Sequence, residues 1–169
     1  MPCVLRCAPF ACLSSGDLRS FVPCPAPRGG GHGVPGRKND AFPPQAVASL
    51  LKDAGGTYAW ADTKGTGSTA LDLETVLSKA GDAPTWLVVE NNWKSLADVE
   101  KADARYAKFK AFQDGNVWSA NKVLGPGGGN DYYERGVARP DLILADLIAI
   151  LRPELAPGHE LTFYQRLTK

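Results

Sequence analysis

Three stretches carry side chains able to do recognition chemistry: Glu90-Asn91-Asn92-Trp93-Lys94, Ala120-Asn121-Lys122, and Asn130-Asp131-Tyr132-Tyr133-Glu134. Each mixes carboxamides or aromatic rings with few net charges. Rings supply apolar contact area and amides fix orientation, so such a set suits a large flat or amphiphilic ligand. A fourth stretch, Asp62–Thr69, adds Lys64. The candidate ligand contacts are Asn91, Asn92, Trp93, Asn121, Tyr132 and Tyr133. Trp93 reads either as a rim contact or as packing, whereas Trp60, Trp86 and Trp118 read as packing.

No catalytic set is assembled by spacing. His32 lies in an irregular amino-terminal stretch and His159 follows a Pro-Gly turn. There is no Gly-x-Ser-x-Gly elbow. Gly125-Pro126-Gly127-Gly128-Gly129 lacks the Gly-Lys-Ser/Thr ending of a phosphate loop, and Gly65-Thr66-Gly67 lacks the dinucleotide fingerprint, so both read as turn-formers. Asp131 and Glu134 could exchange protons with a substrate, but on a polar loop such residues usually cap helices or face solvent. Glu74 sits near the start of a helix, where a carboxylate meets the positive end of the helix dipole. No cofactor and no side-chain metal site is expected.

Cys3, Cys7, Cys12 and Cys24 all fall in the first 24 of 169 residues, without a C-x-x-C spacing. They read as thiols of an irregular leader rather than as a zinc site. Pro, Gly, Cys and Arg crowd this region and no periodicity runs through it. Arg6, Pro2 and Pro9 interrupt any signal-peptide core. The net charge of +1 gives no bulk attraction to nucleic acid, and no apolar run reaches the roughly 20 residues that cross a bilayer.

The elements that must position these stretches follow in order. A helix opens after Phe42-Pro43-Pro44, with Val47, Leu50, Leu51 and Ala54 on one face, and ends at Gly55-Gly56. Thr57–Ala61 reads as a strand. A helix capped by Asp72 carries Leu73, Val76, Leu77 and Ala80, and stops at Gly81. Thr85–Val89 is a continuous apolar run, as in a strand buried on both faces. Ser95 with Asp98 forms a capping box before Leu96, Val99 and Ala102. Tyr106, Phe109 and Phe112 follow at three-residue spacing. Asn116–Ser119 is the next strand, and Ala120–Tyr133 the loop after it. Pro140 opens a helix apolar on more than one face, read as buried all round. Leu161–Arg166 is the last strand. Alternation of helix and strand implies an α/β fold: a three-layer lobe with a mostly parallel sheet flanked by helices. In such sheets ligands sit beyond the carboxyl ends of the strands, where the candidate loops lie.

Several segments fall in a characteristic order: VPG at Val34–Gly36, then LLKDAGG, TYAWAD, LDLETVLSKAGDAPTWLVV, NNWKSLADV, YAKFKAFQDGNVWSANK, GGNDYYERGVARPDLILADLIAILRPEL and HELTFYQRL. In this order residues 34–169 resemble the C-terminal lobe of the substrate-binding proteins that serve bacterial ABC importers of iron–siderophore complexes, haem and cobalamin. Residues 1–33 form a separate irregular leader. The resemblance implies a periplasmic or cell-surface receptor without enzyme activity. Its ligand would be a metal chelate or tetrapyrrole that arrives already chelated, held between two lobes joined by a long helix. Its partners would be the permease subunits, docked through Glu74. No nucleic acid partner and no direct membrane insertion is implied. The first lobe and its linking helix have no counterpart in this sequence, so the chain is expected to be the second lobe alone. Two alternatives stand beside this: a small α/β enzyme using residues 130–134, and a truncated remnant without independent function.

Overall fold

The computed structural model describes residues 44–60 and 72–169. The leader, its cysteines, the proposed boundary near residue 34, Lys64 and the loop 62–69 lie outside the described residues.

Local chemistry sets the helix starts. In α2 (Leu73–Ala80) the Asp72 carboxylate accepts from the Thr75 amide at 2.8 Å and from the Thr75 hydroxyl at 2.7 Å. These bonds, the hydroxyl first, hold its pKa below the ordinary carboxylate value. Gly81 closes the helix. In α3 (Leu96–Ala102) the capping box is complete. Asp98 accepts from the Ser95 hydroxyl at 2.8 Å and the Ser95 amide at 3.0 Å, and Ser95 Oγ accepts from the Asp98 amide at 3.3 Å. Two of the helix's unpaired donors are satisfied reciprocally in this way. A 3₁₀ turn over Ala104–Lys108 and the short α4 (Lys110–Gln113) carry the three-residue aromatic spacing. The remaining helices are α1 (Pro44–Asp53), α5 (Asp131–Ala138) and α6 (Pro140–Leu151).

The sheet is small and mixed. β1 (Trp86–Val88) runs parallel to β2 (Val117–Ser119), with Leu87 opposite Trp118. β3 (Gln165–Arg166) is antiparallel to β2. With one parallel and one antiparallel pair, the sheet of the described residues is not mostly parallel. The expected strand at 57–61 is irregular chain and turn over Thr57–Trp60, and Ala61 lies outside the described residues. The expected strand at 161–166 shrinks to two residues for a clear reason. The amides of Thr162, Phe163 and Tyr164 donate to the Asp146 carboxylate and are lost to a ladder.

Side-chain alternation along β1 divides the core. Trp86 and Val88 belong to one buried cluster with Val76, Trp93, Val99, Tyr106, Phe109 and Val117. Leu87 belongs to the other, with Leu51, Ala120, Tyr132, Ile143, Leu147, Phe163 and Tyr164. Successive strand residues point to opposite faces, so the clusters lie on opposite sides of the sheet. In the second, α6 packs against both α1 and α5. α5 comes close at Gly136, where an added Cβ would stand 2.9 Å from the Ile143 side chain. α6 is not buried all round, as its composition suggested. Ile143, Asp146, Leu147 and Leu151 form a fully buried stripe, and Leu142, Leu144, Ile148 and Ile150 are only half-buried. Among the described residues no helix is long and apolar enough to cross a membrane.

Candidate functional site

The carboxyl ends of β1 and β2 lie side by side because the two strands are parallel and in register. Each runs into a loop, and three carboxamides join the loops. Asn121, buried, donates through Nδ2 to the carbonyls of Glu90 at 2.9 Å and Trp93 at 2.7 Å. Its Oδ1 accepts from Gln165 Nε2 of β3 at 2.7 Å. Asn130, also buried, donates through Nδ2 to Asn91 Oδ1 and to the Ala120 carbonyl, both at 2.8 Å. Asn130 Oδ1 accepts from the Tyr132 amide at 3.0 Å and so caps α5. Asn91 Nδ2 reaches the Gly128 carbonyl at 3.3 Å. Every one of these amide ends faces a group of opposite polarity, which fixes its orientation.

The glycine run is an ordered hairpin. The Gly125 amide donates to the Gly129 carbonyl at 2.8 Å, the Gly128 amide to Gly125 at 2.9 Å, and a bridge joins Leu124 to Asn130. Gly128 has φ +79°, a backbone that side-chain-bearing residues rarely adopt. Val123 and Leu124 at its base are exposed by 39% and 36%.

The predicted contacts divide between surface and core. Asn92 is exposed, Asn91 and Tyr133 are half-buried, and Asn121 is buried within the amide network. Trp93 is 3% exposed, its ring edge-on to Trp86 and Tyr106 with centroids 6.2 and 5.6 Å away. Tyr132 is 1% exposed, packed edge-on to Phe163 and Tyr164. The two rings sit in different clusters on opposite faces of the sheet, so they do not share a cleft rim. Nor is Tyr132–Tyr133 part of a loop, as expected: α5 begins at Asp131, because Asn130 caps it. Burial first, then Tyr164 nearby, lifts the Tyr132 hydroxyl pKa well above its ordinary value, and burial does the same for Tyr164. Both stay protonated at neutral pH. Glu74 is exposed in the first turn of α2.

At the acid–aromatic stretch, Asp131 pairs with Arg135 at 2.9 Å, one turn along α5. Lys122 is held by the Leu161 carbonyl, with Glu160 3.9 Å away. Among the described residues, no three or more His, Cys, Asp or Glu side chains converge as a metal site would require.

Two residues escaped the sequence reading as structural centres. Asn130 is one member of a polar group in the sequence, and the available signal is its place as a carboxamide just before a helix, a cap position. Asp146 was hidden in an apolar run. It is fully buried, and accepts from the Thr162 amide at 2.8 Å, Phe163 at 2.7 Å, Tyr164 at 3.3 Å, and meets His159 Nε2 at 2.9 Å. A lone carboxylate among Leu and Ile is the available signal, since Asp is rarely buried without partners.

No family model matches this chain, and no solved structure matches it. Among curated proteins, an uncharacterized lipoprotein of Methanocaldococcus jannaschii is 31% identical over 109 residues, which is 64% of this chain. The matched stretch spans only 24% of that relative's length.

Proposed function

We propose that the chain is the ligand-binding C-terminal lobe of a substrate-binding protein serving an ABC importer, for a metal chelate or tetrapyrrole of the siderophore, haem or cobalamin type. The observation that carries this reading is the juxtaposition of two strand-tip loops at one end of a sheet, where α/β proteins place their ligands. The order of the quoted segments supplies the ligand class by resemblance. Within the site, Asn92 and Tyr133 are the direct contacts. Asn91 and Asn121 shape the loops, and Trp93 and Tyr132 support them from the core. The half-buried apolar side chains of α6, with exposed Val123 and Leu124, are surface a second lobe could cover.

On the same reading, Glu74 docks against arginines of the permease, and its exposure at the first turn of α2 leaves it accessible for that. The three-layer arrangement of the lobe, helices on both faces of the small mixed sheet, belongs to this proposal too. So does a periplasmic or surface location, for which the name of the lipoprotein relative is the support. The protein has no catalytic role here. Acid–base work at 130–134 is the weaker alternative, since the Asp131 carboxylate is engaged by Arg135.

Calorimetric titration with haemin, a ferric siderophore and cobalamin tests the reading. Saturable binding of one of them, weakened about tenfold or more by Asn92→Ala with Tyr133→Ala, supports it; tenfold corresponds to about 1.4 kcal/mol. Trp93→Phe, which keeps an aromatic in the core, should leave binding unchanged. Absence of binding to all three probes removes the ligand class.

A further inference from the structure

We propose that Asn130 is a positioning residue that makes the two strand-tip loops a single preformed rim, so that loosening one loosens the other. The inference rests on the reading of these loops as the ligand surface, but its decisive test does not need a ligand.

One side chain performs two separable tasks. Asn130 Oδ1 accepts from the Tyr132 amide at 3.0 Å, a helix cap local to α5. Asn130 Nδ2 donates across 39 residues to Asn91 Oδ1 at 2.8 Å, and to the Ala120 carbonyl at the end of β2, also at 2.8 Å. Asn91 in turn reaches the Gly128 carbonyl at 3.3 Å, which closes a ring from the β1 loop to the glycine hairpin and back to Asn130. The carbonyl of Ala120 demands a donor and the amide of Tyr132 demands an acceptor, so the carboxamide cannot turn over without losing both. Asn130 is buried, which leaves water little access to replace these bonds. A Cβ added at Gly127 or Gly128, at the hairpin tip, would meet no atom within 4 Å, so side-chain packing does not hold the tip and ties such as the Asn91–Gly128 bond order it. A rim fixed before binding does not lose loop entropy when a ligand arrives.

The two tasks can be taken apart. Asn130→Asp keeps an oxygen for the Tyr132 amide and remains a good cap, but loses the donor to Asn91 and Ala120. Amide hydrogen exchange on the ligand-free protein should show the amides of Asn92, Trp93, Gly125 and Gly128 exchanging at least about tenfold faster, with Tyr132 and Tyr133 near wild type. A residue acting only as a helix cap would move none of the first four, and that result overturns the inference. Asn91→Ala, at a half-buried position outside both core clusters, gives the reciprocal test. It should loosen Gly125 and Gly128 while α5 stays protected, and unchanged hairpin exchange in this variant also overturns the coupling. Haemin titration of the same variants separates the two layers. Wild-type binding decides the ligand reading, and exchange in the free protein decides the positioning role whatever haemin does.

Discussion

Replacing Asp146 by alanine should be among the most damaging single changes in the described structure. The carboxylate is fully buried on α6 and organises the return of the chain from that helix to β3. It accepts from three consecutive backbone amides, Thr162, Phe163 and Tyr164, and from His159. Thr162 and His159 are half-buried and could turn to water, but Phe163 and Tyr164 are buried. Two buried amides left without acceptors, at roughly 1–3 kcal/mol each, give a loss of about 2–6 kcal/mol. Native domains are stable by only about 5–15 kcal/mol, so much of the total is at stake. Urea unfolding followed by tryptophan fluorescence measures the loss, and exchange at the 162–164 amides locates it. Asp146→Asn should cost less, because one carboxamide oxygen still accepts while its amino end faces donors. A cost below about 1 kcal/mol for Asp146→Ala, with amides 162–164 still protected, would show that Asp146 does not anchor the segment.

Other outcomes follow from the same geometry. Ser95→Ala removes one half of the α3 capping box and should lower stability by about 0.5–2 kcal/mol in urea, with the amide of Asp98 exchanging faster. Gly81→Ala should also destabilise, by about 1–3 kcal/mol, because its Cβ would fall 2.4 Å from the Leu77 carbonyl oxygen, a backbone atom that cannot swing aside. Acid should weaken the fold in a defined window. Asp72, Asp98, Asp103 and Asp141 are held below the ordinary carboxylate pKa, chiefly by side-chain hydrogen bonds from Thr75, Ser95, Arg105 and Arg139 in turn. Each binds its proton more weakly when folded, so its stabilisation is present above about pH 4 and lost as pH falls through the lower folded value. The urea midpoint should therefore change little through these groups from pH 7 to 5 and drop below pH 4, and a midpoint that rises on acidification would reverse the sign.

What the sequence made legible was local. Asp72, Ser95 with Asp98, and Pro140 announce helix starts because the capping partner lies within three residues or is the residue itself. The run around Trp86–Val88 reads as a strand because it is apolar on both faces, and Val117–Ser119 reads as one because Gly115 turns the chain into it. What stayed hidden depends on distant partners. Nothing near Trp93 shows whether its ring meets ligand or Trp86 and Tyr106, and the three-dimensional core decided for the latter. Tyr132 went the same way, since Asn130 starts the helix early and turns that ring inward. The last strand looked longer than it is because Asp146, far along the chain, claims its amides. Asn91 and Asn121 were found as residue types suited to the loops, but their bonds to Gly128, Glu90, Trp93 and Gln165 have no sequence signature.

The ligand surface itself is best tested by adding ferric haem to isotope-labelled protein and reading paramagnetic broadening residue by residue. If the strand-tip rim binds, amides of Asn91, Asn92 and Gly125–Gly129 broaden together with Tyr133, while those of α2 and α3 stay sharp. Broadening centred on any other face, or none at saturating haem, contradicts that placement.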